Sequence, residues 1–593
     1  MALTALDWLV LLLALAAPVA VGVVHGRRSG SSLSGFFLSG RDLPWWMAGT
    51  SMVATTFAAD TPLAVTGIVA TSGIAGNWLW WNAALGSMLT VVLFARLWRR
   101  AGILTDVEFV ELRYSGRAAS LLRAVRALYL GLPVNCLVIG WVNLALAKVL
   151  SIALGWERLT AVLFGLAATG GYAALAGLRG VVAADLVQFA IALTGAVGLA
   201  YYALAAPGVG GLEGLLAALP DSTFRLWPTV QDAHGGLAAP STSMALPVVA
   251  FIAYLGVQWW ASWYPGQEPG GGGYVAQRMM SARGERDAVL GTLWFTVAHY
   301  CLRPWPWVLV ALAALVLYPD LADPDAGYVL VLRDHLPPGW RGLLVGAFFA
   351  AYMSTVSTQL NWGTSYLVND VYKRFVRPGA GEAHLVGVSR LTTLLVMVVS
   401  GAITFGLESV RQAWEFVLES GAGVGLVLIL RWYWWRVTAI SELAALAAAA
   451  AGFVYVRLFT EIRFPDTLLY LVPWTTACWL AATLTTRPEP LRHLIRFYRR
   501  TRPGGPGWSR VARAAGEPPP SPLAPELRRW GAGCAAVYLA LAASHALLFG
   551  STVGAAVLLA CAAGLAAWLV RSLTQRRRRS RGARVARREG PAE

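Results

Sequence analysis

GTSMVATTFAADTPLAVTGIVATSG, residues 49–73, is apolar and long enough to cross a bilayer, for which roughly 20 residues are needed. Its centre, Ala58-Ala59-Asp60-Thr61-Pro62, does not suit an uninterrupted crossing. Pro62 has no amide hydrogen and its ring crowds the preceding turn, so the helix is expected to break there. Asp60 then falls near membrane depth, where a carboxylate is costly and faces protein or water rather than lipid. Non-helical backbone at that depth is tolerated only around a cavity or inside protein. The carbonyls it frees are the kind that bind cations in secondary transporters. The other reading of the same residues is a proline-kinked structural helix with Asp60 capping a neighbour.

The rest of the chain supplies the membrane. Of its 593 residues 57% are hydrophobic and 13% charged, where ordinary soluble domains carry about a quarter charged. That composition excludes an ordinary soluble enzyme and points to an all-α polytopic membrane protein. Lysine and arginine exceed aspartate and glutamate by 17. These cations gather between apolar spans and in the tail, which fits membrane orientation better than nucleic acid. The five cysteines form no CxxC pair, so neither a zinc site nor a disulfide framework is indicated.

Apolar stretches predict about fifteen transmembrane helices. They fall at 5–25, 46–72, 76–98, 120–152, 158–178, 180–206, 243–267, 286–318, 341–370, 385–407, 411–431, 437–459, 466–486, 531–549 and 551–571. Asp7 precedes the first span and positive charge follows it, the reverse of a cleaved signal peptide. With the N-terminus outside, alternate connections should be cytoplasmic and rich in arginine. Arg27, Arg28, Arg41, Arg96, Arg99, Arg100, Arg113, Arg278, Arg283, Lys373 and Arg374 fit that pattern, and Asp221, Asp232, Asp320, Asp323, Asp325 and Asp334 fall opposite. The chain is thus expected in the cell membrane, multi-pass, with a cytoplasmic C-terminus.

This divides the chain into a first helix and loop (1–45), a core (46–435) and additional helices (436–486). A basic, proline-rich cytoplasmic linker (487–530), a C-terminal helix pair (531–571) and a basic tail (572–593) follow. The linker is expected to lie along the anionic inner leaflet and then extend. The outer connection after the sixth span holds a short amphipathic piece at Leu212–Leu219. Five spans after the break at Asp60, the seventh span ends in Pro265 and a glycine run. Interrupted helices opening two five-helix sets of opposite orientation are the layout of a 5+5 inverted repeat.

At this point the chain resembles the sodium/solute symporter family, whose core adopts the inverted-repeat fold of the leucine transporter. The matching pieces are FFLSGRDLPWWMAGTSMVATTFAAD (36–60), TDVEFVELRY (105–114), LAGLRGVVAADLVQ (175–188), YVAQRMMSARGERDAV (274–289) and AAYMSTVSTQLNWGTSYLVNDVYKRF (350–375). The resemblance implies a sodium site between the broken second helix and the ninth. Its ligands would be the carbonyls of Ala54, Phe57 and Ala351 and the hydroxyls of Ser354 and Thr355. A hard cation prefers oxygen, and neutral carbonyls and hydroxyls hold a monovalent ion while permitting release. Both hydroxyls bonding back to carbonyls four residues earlier is the alternative. Asp185 matches an acidic position on the inward sodium route, with an interfacial cap as its alternative. Asp60 matches a gate or ligand position close to the solute, with a salt bridge to Arg303 as the structural alternative.

By the same resemblance Thr61, Asn82 and Asn135 fall where relatives place polar solute ligands. Trp259, Trp260 and Trp263 stand where the family's sugar carriers have asparagine and tyrosine, and either stack on a ring, line an apolar wall or anchor the interface. The implied partners are a small organic solute and membrane lipid, with sodium as the coupling ion. A transporter-like sensor without net flux is the alternative function. A membrane-embedded enzyme ranks below both, because no histidine pair has metal-binding i, i+4 spacing.

Overall fold

The computed structural model describes residues 3–26, 32–227 and 248–588, so the expectations resting on Arg27, Arg28 and Asp232 fall outside the described residues. Among those described, the chain is helical throughout, with one isolated bridge between Leu43 and Ala282. The medium dictates this, because a segment in hydrocarbon must satisfy its own peptide groups.

After α1 (Ala5–Gly26) comes a broken pair, α2 (Trp45–Thr56) and α3 (Thr61–Ser72), bent by 58°. Three long apolar elements follow, α4 (Ile74–Ala101), α5 (Gly116–Leu154) and α6 (Arg158–Leu204). The short α7 (Gly211–Ala218) lies where the amphipathic piece was expected. Next, α8 (248–261) and α9 (Gly273–Ser281) are separated by unwound chain at 262–272. α10 (Glu285–Leu317), α11 (Trp340–Val376) and α12 (Glu382–Thr404) precede a second bent pair, α13 (Val410–Ser420) and α14 (Val424–Tyr433), at 50°. α15 (Ala439–Phe459), α16 (Thr467–Thr485), α17 (Leu491–Thr501), α18 (Ala524–Phe549) and α19 (Thr552–Arg588) complete the chain.

By length and composition, 11 of the described helices can cross a membrane, or up to 13 with each bent pair taken as one span. The expected fifteen therefore differs, at two identifiable places. α6 is one 47-residue element where two spans were expected, and it turns at Gly177, whose φ of 55° is left-handed. Only glycine takes that conformation without strain. A straight helix of that length would reach about 70 Å, more than twice the hydrocarbon thickness. The other expected crossing, 243–267, falls partly outside the described residues.

The two five-helix sets are α2/α3 to α6 and α8/α9 to α13/α14, each opening on an interrupted helix. α11 is buried almost along its whole length, with α6 packed beside it and α1 against both. α2 lies so close to α10 that a Cβ on Gly49 would strike the carbonyl oxygen of Gly291. Small residues bring membrane helices together in this way.

Residues 487–530 depart from the extended linker expected of their arginines and prolines. Leu494, Phe497 and Tyr498 form one buried face of α17, and Trp508 is buried beside them. The Trp508 indole donates to the Trp432 carbonyl at 2.7 Å. The Arg113 guanidinium lies 5.0 Å from the Tyr114 and Trp508 rings and 5.4 Å from Phe497. The segment is docked because its apolar stripe meets aromatic residues, while Arg496, Arg499 and Arg500 stay exposed. α19 continues into the basic tail as far as Arg588.

Candidate functional site

α2 stops at Thr56, and Phe57 leaves the helical region with φ −90° and ψ 67°. α3 starts at Thr61, with Pro62 in its first turn, where a missing amide hydrogen costs nothing. The break therefore lies at 57–60, just before the proline. Asp60 occupies the cap position of α3, yet its side chain makes no capping bond, so the capping alternative is not what the structure contains.

The last carbonyls of a helix lack intrahelical partners. Here the Phe57 amide turns back to the carbonyls of Val53 and Ala54 at 3.0 and 3.1 Å. The Thr55 carbonyl accepts from the Thr355 hydroxyl of α11 at 2.8 Å. The same Thr355 oxygen lies 3.1 Å from the Ala351 carbonyl, so the back-bond and the cross-helix bond share one hydroxyl. Ala54, Phe57 and Ala351 are buried around it.

Ser354 does not bond back. Its hydroxyl donates to Asp185 at 2.8 Å, and Ser51 of α2 donates to the other carboxylate oxygen at 2.5 Å. Asp185, on α6, thus ties α2 to α11. Arg278 of α9 closes the group, 3.7 Å from Asp185, donating to Ser51 at 3.1 Å and to Thr358 at 2.6 Å. Asp185 and Arg278 are fully buried. The interfacial-cap alternative for Asp185 therefore fails. Carbonyl and hydroxyl oxygens converge at Thr55, Ala351 and Thr355, and that donor set fits a hard monovalent cation.

Beside this point is a chamber of about 110 Å³ bordered by Thr55, Asp60, Thr61, Arg303, Thr355 and Gln359. Its aromatic wall includes Trp80, Trp141, Tyr264 and Trp414. Asp60, Arg411 and Trp414 also border a vestibule of about 700 Å³ reaching Lys148, Asp323 and Asp325. Asp60 accepts from the Trp414 indole at 3.2 Å. It forms no ion pair with Arg303, which donates instead to Thr56 at 3.1 Å and contacts His299 at 3.3 Å. The salt-bridge alternative for Asp60 is corrected accordingly.

Of the expected solute or gate residues, Asp60 and Thr61 border the chamber, and Asn82, Asn135, Trp259, Trp260 and Trp263 are not among its lining residues. The Asn82 side-chain amide donates to the carbonyls of Trp78 and Leu79 at 2.9 and 2.7 Å, a local bond open to any helical asparagine, while its Oδ1 has no partner. Asn135 is buried against Gly363 of α11. Trp259 stacks on Trp530 of α18 with ring centres 5.7 Å apart, and Trp260 packs in a cluster with Ala422 and Leu471. Trp263 lies against Gly421 between α13 and α14. Gln258, on α8, and Tyr264, in the unwound chain that follows it, border the chamber instead. Two sequence signals for missed residues were present, the i, i+4 spacings of His299 with Arg303 and of Thr355 with Gln359.

Residues 36–452 match the sodium:solute symporter family. The chain belongs to that family. It is 25% identical over 513 residues to a sodium/glucose cotransporter of Vibrio parahaemolyticus, covering 82% of this chain and 91% of that one. A sodium/mannose cotransporter of Bos taurus is 26% identical over 454 residues, covering 72% of each chain. The fold is similar to that of a Na+-coupled sialic acid symporter solved in a substrate-bound outward-open state. The TM-score is 0.67 and the identity 17%, over 82% of this chain and 99% of that one. The protein is a multi-pass membrane transporter and not an enzyme, and sodium-coupled solute transport is its function.

Proposed function

We propose that the chain couples inward sodium movement to uptake of a small organic solute by alternating access. The observation that carries this reading is the 2.8 Å approach of the Thr355 hydroxyl to the Thr55 carbonyl at the end of a broken helix. Sodium would be held by the carbonyls of Ala54, Phe57 and Ala351 and the hydroxyls of Ser354 and Thr355, with the Thr55 carbonyl added by its position. Asp185, bonded to Ser354, would receive the ion on its way inward. The N-terminus lies outside and the C-terminus in the cytoplasm, so the vestibule near Asp323 and Asp325 faces out and admits the solute to the chamber at Asp60 and Thr61.

Sodium coupling requires the ion to bind one arrangement of the core more tightly than the other, and the effect on solute affinity is reciprocal. The test is uptake into proteoliposomes under an imposed sodium gradient. Ser354→Ala combined with Thr355→Ala should abolish sodium-stimulated uptake while membrane insertion persists. Undiminished sodium dependence in that variant refutes the ion site.

A further inference from the structure

We propose that the solute is a small zwitterion, whose ammonium meets Asp60 and whose carboxylate meets Arg303. This rests on the solute reading of the chamber given above. Asp60 and Arg303 are each 2% exposed, and both border the chamber. Each keeps one buried polar atom without a hydrogen-bond partner, Oδ1 of Asp60 and Nε of Arg303. A buried ionic group without a partner is strongly unfavourable, and these two opposite charges form no ion pair with each other among the described residues. The other charged groups at the chamber, Arg411 and Glu415, are already paired at 3.0 Å.

The geometry of Arg303 defines what it lacks. Its guanidinium has five donors in a fixed fork. One terminal nitrogen is directed to Thr56 and the other to His299, while its face lies 5.2 Å from the centre of the Trp307 ring. Because Arg303 has only donors, His299 must accept on Nε2, and it therefore donates from Nδ1 to Thr56, 2.9 Å away. The fork is thereby oriented with Nε unused, and a planar carboxylate is the group that fits it. Asp60 is likewise held through one oxygen by Trp414, leaving Oδ1 as an acceptor for an ammonium. Trp141, Tyr264 and Trp414 form a continuous ring series, at 6.3 and 6.1 Å between centres. They suit an apolar body between the poles and add cation–π attraction for the ammonium. A neutral polyol would bring no charge to either group, and a singly charged solute would bring one to only one of them.

The experiment is calorimetric binding to the purified full chain in nanodiscs, in sodium chloride and in choline chloride. The panel is amino acids of increasing charge separation, the matching amines and carboxylates, and neutral hexoses. At least one amino acid should bind in sodium, with its amine-only and carboxylate-only analogues roughly 30-fold weaker or more, as expected for loss of a charged hydrogen bond. Asp60→Asn should weaken the amino acid while sparing the carboxylate-only analogue, and Arg303→Lys, which keeps charge without the fork, should do the converse. Sodium-dependent binding of a hexose with no amino acid bound overturns the zwitterion and leaves the transport reading standing. A change in sodium affinity alone in Asp60→Asn assigns that oxygen to the ion and also overturns it. No sodium-dependent ligand anywhere in the panel removes both readings.

Discussion

Replacing Thr355 by valine tests the ion site with minimal disturbance. Valine keeps the β-branch and nearly the volume, so the change removes the hydroxyl and leaves the Thr55 carbonyl without that donor. What disappears is the 2.8 Å bond to the Thr55 carbonyl and, on the proposed reading, one ligand of the ion. A hydrogen bond to a charged group contributes about 1.5–3 kcal/mol. Taking about 2 kcal/mol, at about 1.4 kcal/mol per factor of ten, sodium affinity should fall roughly 30-fold. At sodium one hundred times its dissociation constant, binding stabilises the wild type by about 2.7 kcal/mol. A dissociation constant about 30-fold higher reduces that to about 0.9 kcal/mol at the same concentration.

The assay is thermal unfolding in graded sodium at constant ionic strength. Thr292→Val is the control, because Thr292 is equally buried and its hydroxyl only bonds back to Ala288 at 2.8 Å. Both variants should lose a little intrinsic stability. Only Thr355→Val should shift the sodium midpoint. If the two titrate sodium alike, Thr355 is a clamp between α2 and α11 and the ion reading is refuted.

Asp185→Asn leaves the buried Arg278 without its counter-charge, at a cost of about 3–5 kcal/mol. Unfolding in sodium-free buffer should show the Asp185→Asn and Arg278→Gln double variant less destabilised than the sum of the singles, and additivity would refute the pairing. Glu111, between α4 and α5, gives a pH signature: burial raises its carboxyl, but hydrogen bonds from Arg374, Arg123 and Ser120 outweigh burial and hold it at about 2 instead of 4.5. A depressed acid stabilises the fold above its unfolded value, so the stability difference between wild type and Glu111→Gln should be constant above about pH 4.5 and vanish as pH falls toward 2. Trp508→Ala removes a fully buried indole stacked 5.3 Å from Phe497, costing about 3–5 kcal/mol. Limited proteolysis should then cut between α17 and α18, and continued resistance would mean that the segment is not held by that side chain.

The features legible in the sequence are those where a residue is chemically out of place in its surroundings. Asp60 and Pro62 inside an apolar run marked the break, and the glycine run after Pro265 marked the second. Features that depend on the direction a side chain takes from the backbone were not legible. Trp259 and Trp260, at the end of α8, and Trp263, in the unwound chain after it, differ from Tyr264 by only one to a few residues in sequence, yet of these four Tyr264 alone borders the chamber. Asn82 lies off the chamber lining with its amide on its own backbone, and composition cannot distinguish that placement from a ligand's. In α17 the arginines are conspicuous, whereas the buried face formed by Leu494, Phe497 and Tyr498 acquires meaning only when Phe109 and Trp432 are brought opposite.

The shared hydroxyl of Thr355 suggests how an ion would act on the core. Directed at Thr55, 2.8 Å away, its hydrogen joins α11 to the end of α2 without any ion. To ligate a cation it must present a lone pair to the same gap, and the hydrogen must turn away. The Ala351 carbonyl, 3.1 Å away on the same helix, is placed to receive it. Binding would therefore exchange one connection between α2 and α11 for another instead of adding one to a gap. The free energy available for coupling is then the difference between the two connections, which is smaller than the whole of the ion's binding energy. Ser51, one turn before Thr55, and Ser354, next to Thr355, tie the same two helices through Asp185. If that tie holds during the exchange, the ion's effect would reach the chamber through the short unwound stretch from Phe57 to Asp60.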